Sequence, residues 1–89
     1  MTRTLVLVKW VDSYGASPHW ESVADLEPPE VLYARSVGFV VGETDTCLLL
    51  VPHLTFGLQN VPVPSQGCGD MTIPKCAIVE RVELGSYEF

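Results

Sequence analysis

The sequence has 89 residues, of which 47% are apolar, and a formal net charge of −6 at pH 7. This length fits a single small domain over residues 1–89, and the apolar fraction excludes an intrinsically disordered chain. Only five basic residues stand against eleven acidic ones, which disfavours binding to a phosphate backbone, so no nucleic-acid partner is expected.

The sequence predicts a cytoplasmic protein without a membrane partner. No apolar run approaches the roughly 18 residues of a membrane span, and the short N-terminal apolar run lacks a signal-peptide cleavage site. Cys47, Cys68 and Cys76 are odd in number and include no Cys-x-x-Cys pair, which argues against a disulfide framework. Because their spacing with His19 and His53 matches no zinc-ligand pattern, neither a metal site nor a cofactor is predicted.

The first third of the chain predicts a strand, a loop and a short helix. Residues 4–11 have apolar side chains on both faces, as in a strand that is covered on both sides. Trp20, Val23 and Leu26 recur at helical spacing, which predicts one or two helical turns. Pro28-Pro29 ends this helix, since proline cannot continue the hydrogen-bond ladder.

The acidic surplus is concentrated around this short helix. It comprises Glu21, Asp25, Glu27 and Glu30. Two interpretations remain open: a solvated face that keeps the protein soluble, or a docking surface for a basic partner.

The rest of the chain predicts four more strands. Two apolar runs around the polar turn 42–45 indicate a hairpin, with Gly38 marking a sharp bend. The stretch 53–69 is rich in proline and glycine and predicts a long loop, which in so small a domain is often functional. Residues 85–89 are expected to form a loose tail. The predicted strands are 33–42, 46–51, 71–73 and 77–84, and the predicted core consists of Val6, Val8, Phe39, Val41, Leu48, Leu50 and Ile78.

About five strands and one short helix favour a small, strongly bent β-barrel of the SH3 or Sm type, whose closure would leave no free edge strands. The run Gly38-Phe39-Val40-Val41, followed by Asp45 and Leu48-Leu49-Leu50, resembles the first Sm signature. The run from Ile73 to Ile78 resembles the second signature as found in the bacterial RNA chaperone Hfq, with Lys75, Ala77 and Ile78 as the matching residues.

A second resemblance covers residues 10–84. The order Trp-x-Asp-Ser, a second Trp, an acidic stretch with Pro-Pro, Ser-Val-Gly-Phe, Pro-His and Gly-Cys-Gly-Asp-Met-Thr-Ile-Pro-Lys is similar to small uncharacterised proteins of tailed bacteriophages. This resemblance implies a phage or prophage origin, with the host cytoplasm as the expected compartment. It implies no biochemical activity. Phage proteins of this size are often accessory factors that bind and block something in the host.

Catalytic patterns are missing from the sequence. No nucleophile elbow frames Ser13, Ser36 or Ser65, and no pair of carboxylates stands out for acid–base chemistry. The glycines do not form a phosphate loop, because the Lys-Ser/Thr end is absent. The chain is therefore expected to be a non-enzymatic binding protein.

Three binding hypotheses follow. The first is a counter-defence factor that sequesters a small anionic, nucleotide-type ligand, held by Lys75 with help from Arg35 and Trp20. The second is a module that occludes a host protein through its acidic surface, and the third is a minor virion structural or assembly protein. A homo-oligomer is also expected, because both faces of the first strand are apolar. Its interface is predicted at the edge that carries Ala77, Val79 and Arg81.

Overall fold

The computed structural model describes residues 2–58 and 61–88, with side chains described except at 58 and 61–64. The chain is mainly β, as predicted. Its strands are β1 (Thr2–Asp12), β2 (Leu32–Glu43), β3 (Cys47–Val51), β4 (His53–Leu58), β5 (Val61–Cys68), β6 (Met71–Pro74) and β7 (Ile78–Glu88). Two single 3₁₀ turns, Val23–Asp25 and Lys75–Ala77, are the helical elements of the described residues.

Five strands form one antiparallel sheet in the order β6-β3-β2-β1-β7, and β4 pairs with β5 in a separate hairpin. The outer strands of the sheet are β6 and β7, and the turn Lys75–Ala77 carries the chain from one to the other. Over residues 2–58 and 61–88 no ladder joins these two strands, so the predicted closure into a barrel is wrong.

The sheet has a buried inner face. Strand alternation brings Val6 and Val8 of β1 to the same face as Leu48 and Leu50 of β3, and Ile73 of β6 joins them. Trp10, Val40 and Ile78 pack around this cluster and are partly buried. The inner face is therefore the hydrophobic core, and burial of Val6, Val8, Leu48 and Leu50 confirms that part of the prediction.

The remaining predicted core residues are only partly buried. Phe39 pairs with Leu5, on the opposite face of the sheet from Val6 and Val8. Val41 lies at an irregularity in the β2–β3 ladder, where the register shifts between Val40 and Gly42. Alternation places Phe39 and Val41 on one face of β2, but because Val40 is apolar as well, it does not tell which face meets the core.

The sheet curves around the end of β2, the strand in which the sequence predicts a bend at Gly38. Arg81 lies opposite Val8, which lies opposite Ser36, so the ladders alone would leave Arg81 far from Glu43. The two side chains nevertheless meet at 3.0 Å, which requires the end of β2 to curl back. A β-carbon at position 38 would lie 3.1 Å from the Leu50 Cβ, so the close packing of β3 on this strand favours glycine.

Three other predictions about the elements are wrong. Within the stretch 53–69, residues 53–58 and 61–68 form the hairpin β4–β5 instead of a loop, and residues 59–60 lie outside the described residues. Proline is tolerated there because both strands are edge strands. Residues 85–88 of the expected tail continue as strand, with Ser86 and Glu88 paired to Thr4 and Thr2, and residue 89 lies outside the described residues. The helix at 20–26 is reduced to the turn Val23–Asp25, because its apolar residues remain exposed and no packing stabilises it.

Candidate functional site

Residues 13–31 join β1 to β2, and we call them the connecting segment. This connection exceeds the roughly 12–15 residues beyond which loops tend to be functional or disordered. Tyr14 connects the two ends of this segment by hydrogen bonds. Its hydroxyl donates to the Glu30 carbonyl at 2.7 Å and accepts from the Glu30 N–H at 3.1 Å. The segment is thus closed at its base by a pair of hydrogen bonds.

Large apolar side chains of the connecting segment face solvent. Trp20 has a relative exposure of 103% and Val23 of 83%, and Leu26 and Val31 are more than half exposed. Several exposed large apolar side chains on one short segment are typical of a surface that another molecule covers. The sequence suggested Trp20 as a stacking wall, and the structure leaves its ring fully accessible.

The same segment carries most of the net negative charge. Glu21, Asp25, Glu27 and Glu30 are all exposed. An open groove at its base is lined by Asp12, Ser13, Tyr14 and residues 27–30. Three carboxylates around one groove create a negative field, which favours a cationic group over an anionic one.

Lys75, the predicted anion ligand, is held in an ion pair. Its Nζ lies 2.8 Å from the Glu43 Oε2, and the Arg81 guanidinium binds both oxygens of the same carboxylate at 3.0 and 3.1 Å. The hydrogen bond from Arg81, followed by that from Lys75, lowers the pKa of Glu43 from 4.5 to about 2. Glu43 therefore joins the last strand and the turn before it to the bent end of β2.

Arg35, the second predicted ligand, lies elsewhere. It is exposed on β2 directly opposite Lys9 of β1, and Lys9 in turn lies opposite Glu80 of β7. The Lys9 ammonium stands 4.5 Å from the centre of the Tyr33 ring. No ion pair to Arg35 or Glu80 occurs among the described residues.

The three predicted ligand residues do not converge by any described contact. Lys75 belongs to the turn before β7, Arg35 to the middle of β2, and Trp20 to the connecting segment. Sequence reasoning missed Glu43, because its position in the 42–45 stretch marks it as a turn residue. The signal that could have identified it is its place at the end of an apolar strand, where a carboxylate can meet basic residues from neighbouring elements.

The predicted interface residues lie around the start of β7, the free edge of the sheet. Val79 is 53% exposed at a bulge between the pairs Lys9–Glu80 and Trp10–Ile78. Ala77 is partly buried in the 3₁₀ turn. Arg81 already binds Glu43, so its charge is partly satisfied within the chain.

The cysteines are free thiols: Cys47 is partly buried, whereas Cys68 and Cys76 are exposed. Over the described ranges no three His, Cys, Asp or Glu side chains are grouped so that they could hold a metal ion. Nor does this part of the chain contain a helix with the length and apolar character needed to cross a membrane.

Comparison with known proteins gives no relative. No protein family, curated protein or solved structure matches this chain.

Proposed function

We propose that the chain is a non-enzymatic accessory binding protein that docks a basic segment of a partner protein on its connecting segment. The observation that carries the proposal is the combination of a fully exposed Trp20 with four exposed carboxylates on one connection. Aromatic anchors supply most of the binding energy of typical interfaces, and complementary charges around them set the partner and the association rate.

The structure of the segment suits this role. Its apolar side chains make no core, so they are available to a partner without unfolding the sheet. The Tyr14 hydroxyl fixes both ends, which limits the entropy lost when the segment is ordered by binding. The resemblance to tailed-phage proteins supports a host protein in an infected cell as the partner, and occlusion of that protein as the effect.

The test is calorimetric titration with a Lys/Arg-rich peptide. We expect micromolar binding that weakens with salt, and a loss of roughly tenfold or more in affinity in Trp20→Ala, since interface tryptophans commonly contribute about 2 kcal/mol. Glu27→Lys should weaken binding further than Asp45→Lys, which makes the same change of net charge in the β2–β3 turn. Equal effects of these two lysine variants would show that the peptide senses only overall charge, and the docking proposal would be wrong.

We retain anion sequestration as a second candidate, because Lys75 keeps a third of its side chain accessible while it contacts Glu43. The accessible part of that ammonium group can donate a hydrogen bond to a phosphate oxygen. In this case a nucleotide should bind the wild type, and Lys75→Ala should abolish binding, whereas Arg3→Ala should not. Absence of nucleotide binding to the wild type would remove this candidate.

For the fold we propose an open relative of the SH3 and Sm barrels. The bent β2 with Gly38 and the antiparallel five-stranded sheet support this likeness. The proposal concerns architecture alone, because such small β-folds carry unrelated functions.

A further inference from the structure

The face of the sheet opposite the core, which we call the outer face, is apolar over its central strands. Leu5 and Leu7 of β1 lie on it, paired with Phe39 and Val37 of β2, and Val82 of β7 pairs with Leu7 from the other side. Val37 is 50% exposed and Val82 39%. When one face of an antiparallel sheet is exposed to water, the residues on that face are normally polar. The apolar residues of the outer face are therefore unusual for a face in contact with water alone.

The chain's own hairpin covers just one end of the outer face. Val51 of β3 is buried there, and Gly67 of β5 packs so closely that a β-carbon at that position would lie 3.3 Å from the Val51 Cγ1. Beyond this point the Tyr87 ring packs edge-on against Phe39, whereas Val37 and Val82 stay exposed.

The size of the molecule agrees with a missing partner. Its accessible surface is 6909 Å², whereas a compact monomer of this mass exposes about 5,200 Å². Its radius of gyration is 17.8 Å, against about 12 Å for a compact domain of this length. The excess of about 1,700 Å² for one copy is about twice the roughly 800 Å² that each partner buries in a standard protein interface.

A row of charges crosses the outer face next to the apolar residues. Arg35, Lys9 and Glu80 stand side by side on β2, β1 and β7. Lys9 turns to the Tyr33 ring, while Arg35 and Glu80 are exposed on opposite sides of it. Arg35 and Glu80, of opposite charge on either side of the central strand, are complementary to a copy of the sheet turned by half a rotation. Lys9 meets its own counterpart in that arrangement, but each ammonium group is turned aside to Tyr33 of its own β2.

We propose that the outer faces of two copies pack together in a two-fold symmetric dimer. A two-fold axis parallel to β1 and between the sheets places β1 on its own counterpart and β2 over β7 of the second copy. Arg35 of each copy then lies over Glu80 of the other copy. In the same way, Val37 of each copy faces Val82 of the other. Each of these contacts occurs twice, as an isologous interface requires.

The same rotation places the second copy's hairpin beyond the free edge of β7. In the sheet order, β3 is the second strand from β1 on one side, and β7 is the first strand from β1 on the other side. After the half rotation, β3 of one copy, with its hairpin, is therefore next in line after β7 of the other. The hairpin would thereby shield an edge strand that is otherwise open to aggregation.

A charge exchange tests this dimer by sedimentation equilibrium. The wild type should be a dimer at micromolar concentration. Arg35→Glu and Glu80→Arg should each raise the dissociation constant by about tenfold or more, because like charges then face each other twice. The double variant Arg35→Glu/Glu80→Arg should return to the wild-type value, and Asp45→Lys, away from the face, should leave it unchanged.

Several results would overturn the proposal. A wild type that remains monomeric at about 100 µM has no such dimer. Single variants that dimerise as the wild type does, or a double variant that does not recover, would show that Arg35 and Glu80 do not meet. If instead Val79→Asp dissociates the dimer while Arg35→Glu does not, the copies associate through the β7 edge and the outer face is not the interface.

Discussion

Glu43 shows how much one surface residue can connect. Its carboxylate binds Arg81 of β7 and Lys75 of the preceding turn, and so ties both to the curled end of β2. These pairs are more than a third exposed, so solvent screens them and their combined contribution to stability is about 1 kcal/mol.

We expect that contribution to depend on pH. The pKa of Glu43 is depressed in the folded chain, so the stabilisation is complete above the ordinary value of 4.5 and is lost as the pH falls towards about 2. In urea titrations, Glu43→Gln should be less stable than the wild type by about 1 kcal/mol at pH 7, and the difference should shrink between pH 4.5 and 2. Asp45→Asn should differ by less than about half a kcal/mol at pH 7. A Glu43→Gln deficit that stays constant from pH 7 to 2 would contradict the assignment of the ion pairs.

Leu50 tests the inner face at the same scale. Its side chain is 3% exposed within the core cluster, so Leu50→Ala should lower the free energy of unfolding by about 2–5 kcal/mol. Val79→Ala, at a position that is 53% exposed, should cost less than about half a kcal/mol. Similar losses in the two variants, measured by urea titration, would mean that the core is placed on the wrong face.

At the scale of elements, alternation of apolar residues identified the five strands of the sheet but not the hairpin β4–β5. The prolines and glycines between Pro52 and Gly69 predict a loop, yet this stretch contains a two-stranded hairpin. Each strand of an isolated hairpin has one free edge, so a proline there removes no ladder hydrogen bond when its missing N–H faces that edge. The apolar spacing of Trp20, Val23 and Leu26 predicted a helix, yet tertiary packing decides whether so short a helix forms, and none is present.

The Tyr14 hydroxyl should control the mobility of the connecting segment. Tyr14→Phe removes both hydrogen bonds to Glu30, each of which contributes about 0.5–1.5 kcal/mol. Limited proteolysis within residues 13–31 should then accelerate by about fivefold or more, with the stability of the sheet unchanged. Tyr87→Phe is the matched control and should not change the rate. Equal cleavage of the wild type and Tyr14→Phe would show that these hydrogen bonds do not restrain the segment.

At the scale of the whole molecule, the core is small and much of the apolar surface is left for other molecules. The sequence predicted the mainly β class and a surplus of apolar residues, but periodicity cannot say which face of a doubly apolar strand meets the core. Sequence reasoning likewise could not place Lys75 in an ion pair, since its partner Glu43 is brought near by the pairing of β2 and β6 on either side of β3. The acidic segment, in contrast, can be recognised from the sequence, because its four carboxylates all fall within residues 21–30.

The central claim is that the connecting segment is the docking surface, and amide hydrogen exchange tests it most directly. Exchange is measured on the wild-type protein with and without a saturating Lys/Arg-rich peptide. We predict slower exchange within residues 13–31 and unchanged exchange over β3 and β6, because β3 pairs with residues 39–43 of β2, at the end away from the connecting segment. Unchanged exchange within residues 13–31, with protection appearing elsewhere or nowhere, would contradict the claim.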